Sequence, residues 1–326
     1  MTAVEFNERK TMRTKLLFLI PALAFISAAA FAADTPPPFT LHEIGPGVWA
    51  AIDNPDAKAA RAGANAGFVM GSDGVFVVDT FENPDAAKEL LNQIRRKTNL
   101  PIRFVVNTHY HLDHVAGNNT FAAAGATVLA QDNVRAWERS ENKKFFGAKI
   151  TPEQAQMVES LGLPSITYHD GVVLYLGTRQ LIVRSLPGHT GGDSAVFVPD
   201  ANVVFYGDLF WNHTLPNLID ASTKPWIETL DVGLRHHPDA TFVPGHGEVG
   251  HVQDLKDFRD YLSDLRADVA AAQADGKSGD ALTAAVLPAL QQKYGSWNFF
   301  GFAKSDIQYT DQELQGKKRI PVPPTN

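Results

Sequence analysis

The sequence predicts an α/β sandwich of mixed β-sheets rather than a doubly wound parallel sheet. Three observations predict it. Short apolar runs pair across turn signals into hairpins, helical stretches interrupt them irregularly, and histidines and aspartates sit just after apolar runs. The 326-residue chain is 44% hydrophobic and 20% charged, enough for a sizeable core without covalent cross-links. It has no cysteine, which excludes disulfides, thiolate metal sites and thiol catalysis. The formal charge of -7 argues against nucleic acid as a partner.

The N-terminus reads as a secretory signal. "MRTK" (Met12–Lys15) is basic, "LLFLIPALAFISAAAFA" (Leu16–Ala32) is almost wholly apolar, and Ala30 and Ala32 are the small residues a signal peptidase reads. Residues 1–32 are therefore expected to be removed, with 1–11 dispensable. The small-residue exit favours cleavage over a membrane anchor. The expected location is periplasmic or secreted, without stable membrane anchoring. Cleavage removes Arg9, Lys10, Arg13, Lys15, Glu5 and Glu8, which leaves the balance acidic.

After the Pro-rich "DTPPPF", residues 39–53 read as strand, turn and strand. "AGFVMGSDGVFVVDT" (Ala66–Thr80) is two apolar runs around a turn, a hairpin. Asn83 and Pro84 open a helix in which Ala87, Leu90, Leu91 and Ile94 recur at helical spacing. "IRFVVNT" (Ile102–Thr108) is a buried-type strand that leads into His109. A short helix and the strand "TVLAQ" follow, then a polar, largely helical stretch over 132–165. Strand pairs are predicted over 171–188 and 194–208, a helix over 225–237, and a strand over 240–246 ending in a glycine-rich loop. Two helices follow, from about Val252 to Asp275 and on to about Tyr294. Residues 39–250 are expected to form the catalytic domain, with 251–326 a helical extension packed on it.

The chemistry concentrates in "NTHYHLDHVAGN" (Asn107–Asn118). If the strand continues, its alternation points His109 and His111 the same way, and the following turn carries Asp113 and His114. Imidazole and carboxylate are good zinc ligands, at roughly 2.0–2.2 Å. Two ions need more donors than this segment holds. "LPGHTGG", "FYGDLFW" and "VPGHGE" place His189, Asp208 and His246 each after an apolar strand and a glycine. A lone histidine after a strand is more often a cap than a ligand, but four such loops in one chain are far less common by accident.

The motif "HYHLDH", followed in order by "GHT", "GD" and "GH", resembles the metallo-β-lactamase-fold hydrolase superfamily, and the resemblance runs from about Phe39 to Gly250. It implies a four-layer αββα sandwich with a dinuclear zinc site at one edge, with iron or manganese as alternative metals. His109, His111 and His189 would hold the first ion; Asp113, His114 and His246 the second; Asp208 would bridge them. Asp113 and Asp208 are the expected catalytic carboxylates. Asp79, ending "VFVVDT", matches an outer aspartate of the family and could equally be a strand-end cap. Trp211 and His213 are candidate substrate contacts, Phe210 is expected to pack beneath the site, and "SWNFFGF" (Ser296–Phe302) is expected to be core or helix-docking surface.

The resemblance implies hydrolysis of an ester, thioester, lactone or lactam carbonyl in a small-molecule substrate. The bridging aspartate disfavours a β-lactamase proper, since those members usually lack it. A mononuclear iron persulfide dioxygenase would keep the same motif, and a non-enzymatic zinc protein would show degraded ligand positions. None of the seven is degraded.

Overall fold

The computed structural model describes residues 36–319, so the signal segment lies outside the described residues. Two mixed sheets stack face to face with helices on both outer surfaces. The first sheet has seven strands in simple order, β1 (Phe39–Gly45), β2 (Val48–Asp53), β3 (Ala66–Met70), β4 (Val75–Val78), β5 (Ile102–Val106), β6 (Thr127–Gln131) and β7 (Ile166–Tyr168). Its first four strands are antiparallel neighbours, and β4 to β7 run parallel. The second sheet contains β8 (Gly171–Leu176), β9 (Arg179–Ser185), β10 (Ser194–Val198), β11 (Val203–Trp211) and β12 (Thr241–His246). Its order is β12-β11-β10-β9-β8, antiparallel except for β11 and β12.

The side-chain period of two explains the layers. On β4, Phe76 and Val78 face the second sheet, while Val75 and Val77 face outward helices. On β11, Val203 and Phe205 point into the same inter-sheet core, while Val204 and Tyr206 point outward. Every strand buried on both faces must then be apolar throughout, as "VFVV" and "VVFY" are.

Helix α1 (Pro84–Lys97) covers the first sheet. Asn83 accepts a hydrogen bond from the Asp85 amide, Pro84 pre-sets the first turn, and Arg95, Arg96 and Lys97 complement the C-terminal dipole. Its buried stripe is Ala86, Ala87, Leu90 and Ile94; truncating Leu90 to alanine would cost about 2–5 kcal/mol. The short helices α2 (Leu112–Val115) and α3 (Asn118–Ala123) follow β5. The polar stretch after β6 resolves into α4 (Asp132–Phe145) and α5 (Pro152–Glu159), and its last residues, 160–165, are irregular and lead to β7. On the second sheet, α6 (Thr223–His236), α7 (Val252–Ala274), α8 (Gly279–Tyr294) and α9 (Ala303–Leu314) share one core built on Trp226, Phe258 and Tyr261. No sequence signal pointed to α9 in particular. No helix among the described residues is long and apolar enough to cross a membrane.

Candidate metal centre

All seven expected ligands meet at one edge of the sandwich. His109, His111, Asp113 and His114 come from the segment after β5; His189 follows β9, Asp208 lies within β11, and His246 ends β12. The expected strand alternation of His109 and His111 is not what joins them. Strand β5 stops at Val106, and His111 is already the N-cap of α2. A bend and one helical turn do the work, because Asp79 ties off the backbone there: its Oδ1 accepts from the Thr108 amide at 2.7 Å. Asp208 is likewise inside a strand rather than after one. The ladder to β12 shifts register around Gly207, whose φ of +50° favours glycine, and β11 then runs on to Trp211.

The donor atoms form two groups, His109, His111, His189 and Asp208 in one, Asp113, His114 and His246 in the other. Within each group the atoms lie within 4.8 Å of one another. Asp208 joins them. Its Oδ2 is 3.2 Å from His189 Nε2 and 3.6 Å from His109 Nε2. Its Oδ1 is 3.0 Å from His114 Nε2 and 3.6 Å from His246 Nε2. Asp113 Oδ2 closes the second group, 3.3 Å from His246 Nε2. The buried Nε2 atoms of His109, His114 and His246 and Oδ1 of Asp208 have no hydrogen-bond partner. Such orphaned donors converging on two points fit a pair of divalent cations, since they are costly to bury otherwise.

Outer contacts fix which ring nitrogen faces inward. His114 Nδ1 is 2.9 Å from Asp79 Oδ2, which also accepts from Thr108 Oγ1 at 2.7 Å. Asp79 is therefore both strand-end cap and histidine orienter. Its own φ is +56°, a left-handed conformation aspartate tolerates better than most residues. His111 Nε2 is 3.2 Å from Asp220 Oδ2, leaving Nδ1 to face the site. Asp220 was not legible in the sequence: "NLIDAS" carries no strand-glycine signature, and the partner is 109 residues away. Asp193 braces the His189 loop by accepting from the Thr190 amide at 2.7 Å.

The charges sort the two groups. Burial and the neighbouring His114 hold His109 well below the usual imidazole range. Burial takes His189 down to about 3, so both are neutral, the form that ligates. In the second group burial works against protonation of His246, but Asp208 and Asp113 outweigh it and lift the ring to about 9. His114 is raised well above its ordinary value by Asp208, Asp113 and Asp79, again against burial. Burial would raise Asp113, yet His114 and His246 hold it at about 2.

A cavity of about 260 Å³ opens onto the donors. Trp211 lines it and stacks on His246, with centroids 4.0 Å apart. Phe210 is buried against Phe242 and Phe258 instead. His213 is not brought to this cavity; it packs edge-on to Trp297 and lines a neighbouring one. From "SWNFFGF", Phe299 and Phe302 do line the metal-facing cavity, against the expectation of core or docking surface alone.

Comparison with known proteins bears on the fold and the family. The chain is 22% identical over 211 residues to a linear primary-alkylsulfatase of Pseudomonas sp. (strain ATCC 19151), covering 54% of this chain and 40% of that protein. It is 28% identical over 168 residues to the hydroxyacylglutathione hydrolase of Brucella ovis (strain ATCC 25840 / 63/290 / NCTC 10512), covering 51% of this chain and 56% of that one. The chain thus spans only about half the length of these curated relatives. Among solved structures, a metallo-beta-lactamase from Pontibacter korlensis aligns with a TM-score of 0.57 at 23% identity, over 69% of this chain and 99% of that one. A double mutant of the sec-alkyl sulfatase PisA1 aligns with a TM-score of 0.67 at 18% identity, over 85% of this chain and 50% of that one. These two likenesses concern the fold, which is the αββα sandwich described above. The family model described as the metallo-beta-lactamase superfamily matches residues 60–269, and with its fold and donor set in agreement, the chain belongs to that superfamily.

Proposed function

We propose that this chain is an exported hydrolase that uses two metal ions to attack the carbonyl of a small ester, thioester, lactone or lactam. The single observation that carries the reading is the divided carboxylate of Asp208, one oxygen toward each group of histidines. Divalent ions, when bound, supply the Lewis acidity that makes water nucleophilic near neutral pH and polarises a carbonyl oxygen. The rest is the work of side chains. Asp208 fixes the spacing of the two donor groups. Asp79 and Asp220 hold His114 and His111 in the ligating tautomers. Asp113 is more open than Asp208, Asp79 or Asp220, its side chain 27% exposed at the cavity, and stays ionised. With Oδ2 turned to the second donor group, its other oxygen would be the one to accept a proton from the attacking water and pass it to the leaving group. The zinc identity, the count of two ions and the periplasmic or secreted location belong to this proposal; the signal-like sequence of residues 12–32 supports the last.

A second reading, hydrolysis of a sulfate ester, is favoured by the match to the alkylsulfatase over 54% of the chain. Purified protein with its metals counted by mass spectrometry, assayed on thioester, lactone, β-lactam and alkyl sulfate panels, tests both. Two zincs per chain with acyl cleavage is the expected result. A single iron, or turnover of sulfate esters alone, would reject the first reading.

A further inference from the structure

We propose that Phe299 and Phe145 form the two jaws of a cleft that selects an uncharged substrate by its apolar acyl group. The inference rests on the acyl-hydrolase reading for the reaction but not for the cleft. Phe145 closes α4 and is 58% exposed; Phe299 lies between α8 and α9 and is 43% exposed. Large apolar side chains this open, both lining one cavity, are unpartnered surface that a ligand can cover.

Their placement relates to the chemistry. The Phe145 ring is 6.4 Å from that of His111, in the first donor group. The Phe299 ring is 6.3 Å from that of His246, in the second. One phenylalanine therefore stands beside each half of the site, and a group held between them crosses the carboxylate of Asp208. Trp211 and Phe146 line the same space.

Phe299 is held there at a conformational cost. Its φ of +56° and ψ of 28° are left-handed, a region that bulky L-residues rarely occupy. The chain on its N-terminal side is pinned: the Asn298 amide donates to the His213 carbonyl and the Asn298 carbonyl accepts from the Leu215 amide, each at 2.9 Å. Phe302 backs the ring at 5.9 Å. The segment lies beyond residue 269, where the superfamily match ends, so this jaw is an addition of the chain's own C-terminal part.

Charge sets the other half of the selection. Among the described residues lining the cavity, Arg61 is the one Lys or Arg side chain, and its Nη2 lies 2.6 Å from Asp53 Oδ2. Glu82 lies at the same mouth. Away from the two donor groups, a mouth whose one Arg is already paired and which has a carboxyl group beside it suits a substrate with a neutral acyl chain, not a multiply charged thioester.

The test uses the full metal-loaded chain, Phe299→Gly, which suits the left-handed backbone, and Phe145→Ala. The ratio of kcat/KM for p-nitrophenyl octanoate over the acetate is expected to fall about tenfold in each variant. Calorimetric affinity for octanamide, which needs no turnover, is expected to fall by a similar factor. An unchanged ratio and affinity in both variants overturns the proposal, as does failure of the native chain to bind octanamide. Preference of the native chain for S-lactoylglutathione over the octanoyl ester overturns it too. Octanamide binding that depends on both phenylalanines, with no acyl compound cleaved, would reject the hydrolase reading and leave the cleft standing.

Discussion

Asp220 Oδ2 lies 3.2 Å from Nε2 of His111, on the side of the ring away from Nδ1, which faces His189 Nε2 at 3.0 Å. Tyr110 donates its hydroxyl to the same carboxylate oxygen at 2.7 Å. A histidine ligand held by an outer carboxylate keeps one tautomer and one ring orientation. Asp220→Ala is therefore expected to weaken metal retention about 10–100-fold. Tyr110→Phe removes only a brace of that brace and should weaken it less. Metal content after dialysis against graded chelator measures both; retention by Asp220→Ala at the native level would contradict the assignment.

Asp208 has no close substitute. Asp208→Asn keeps the shape but replaces one acceptor oxygen by a donor amide, so one donor group must face an N–H. Loss of at least one metal and a fall in kcat/KM of about a hundredfold or more is expected. Gly245→Ala makes the same point sterically. A Cβ at Gly245 would lie 1.8 Å from Asp208 Oδ1, so the carboxylate must move. Its activity should drop severely while far-ultraviolet circular dichroism stays native.

Asp79 separates two roles. Asp79→Asn keeps a side chain that tolerates a left-handed backbone and can still accept from the Thr108 amide, but it removes the charge facing His114. Metal loss is expected, with little change in thermal stability once metal is stripped from both the variant and the native chain. Asp79→Ala also leaves the Thr108 amide unpaired in a buried place, adding a cost of about 1–3 kcal/mol. A melting curve and a metal count on each variant distinguish the roles.

Glu138 gives the protein a pH-dependent weakness. It is buried in α4 with both carboxylate oxygens unpartnered, and burial lifts its pKa to about 8, against the pull of Arg139 and Arg135. The folded chain then binds this proton more tightly than the unfolded chain. Its penalty is absent below the ordinary glutamate range, grows as pH rises toward 8, and is complete above it. Glu138→Gln should raise stability by about 2–4 kcal/mol at pH 8 and much less at pH 5. Equal gains at the two values, read from melting at constant metal, would show that the carboxyl is not protonated in the fold.

The sequence made the inner donors legible because each carries a local mark: His109, His111, Asp113 and His114 crowd together after an apolar run, and His189, Asp208 and His246 each follow an apolar run and a glycine. The hairpins and α1 were legible for a similar reason, as period and capping are short-range properties. What stayed hidden depends on distant partners. Asp220 matters only because Tyr110 and His111 arrive beside it, and Phe299 faces the cavity only because Asn298 is tied to His213 and Leu215. His213 looked like a substrate contact from its place near Asp208, but sequence proximity does not set direction, and its φ of +45° accompanies a ring packed on Trp297. The bend at His109 was misread as strand alternation because nothing local says that Asp79 will end the ladder.

The two donor groups do not divide by sheet. His109, His111, Asp113 and His114 belong to the chain leaving the first sheet, and His189, Asp208 and His246 to the second. Each group takes members from both. Any ion in either group is consequently a rivet through the seam of the sandwich, added to the apolar core that already joins its halves. Scarcity would then weaken the protein as well as silence it, so its lifetime in a metal-poor compartment is tied to the same atoms as its chemistry.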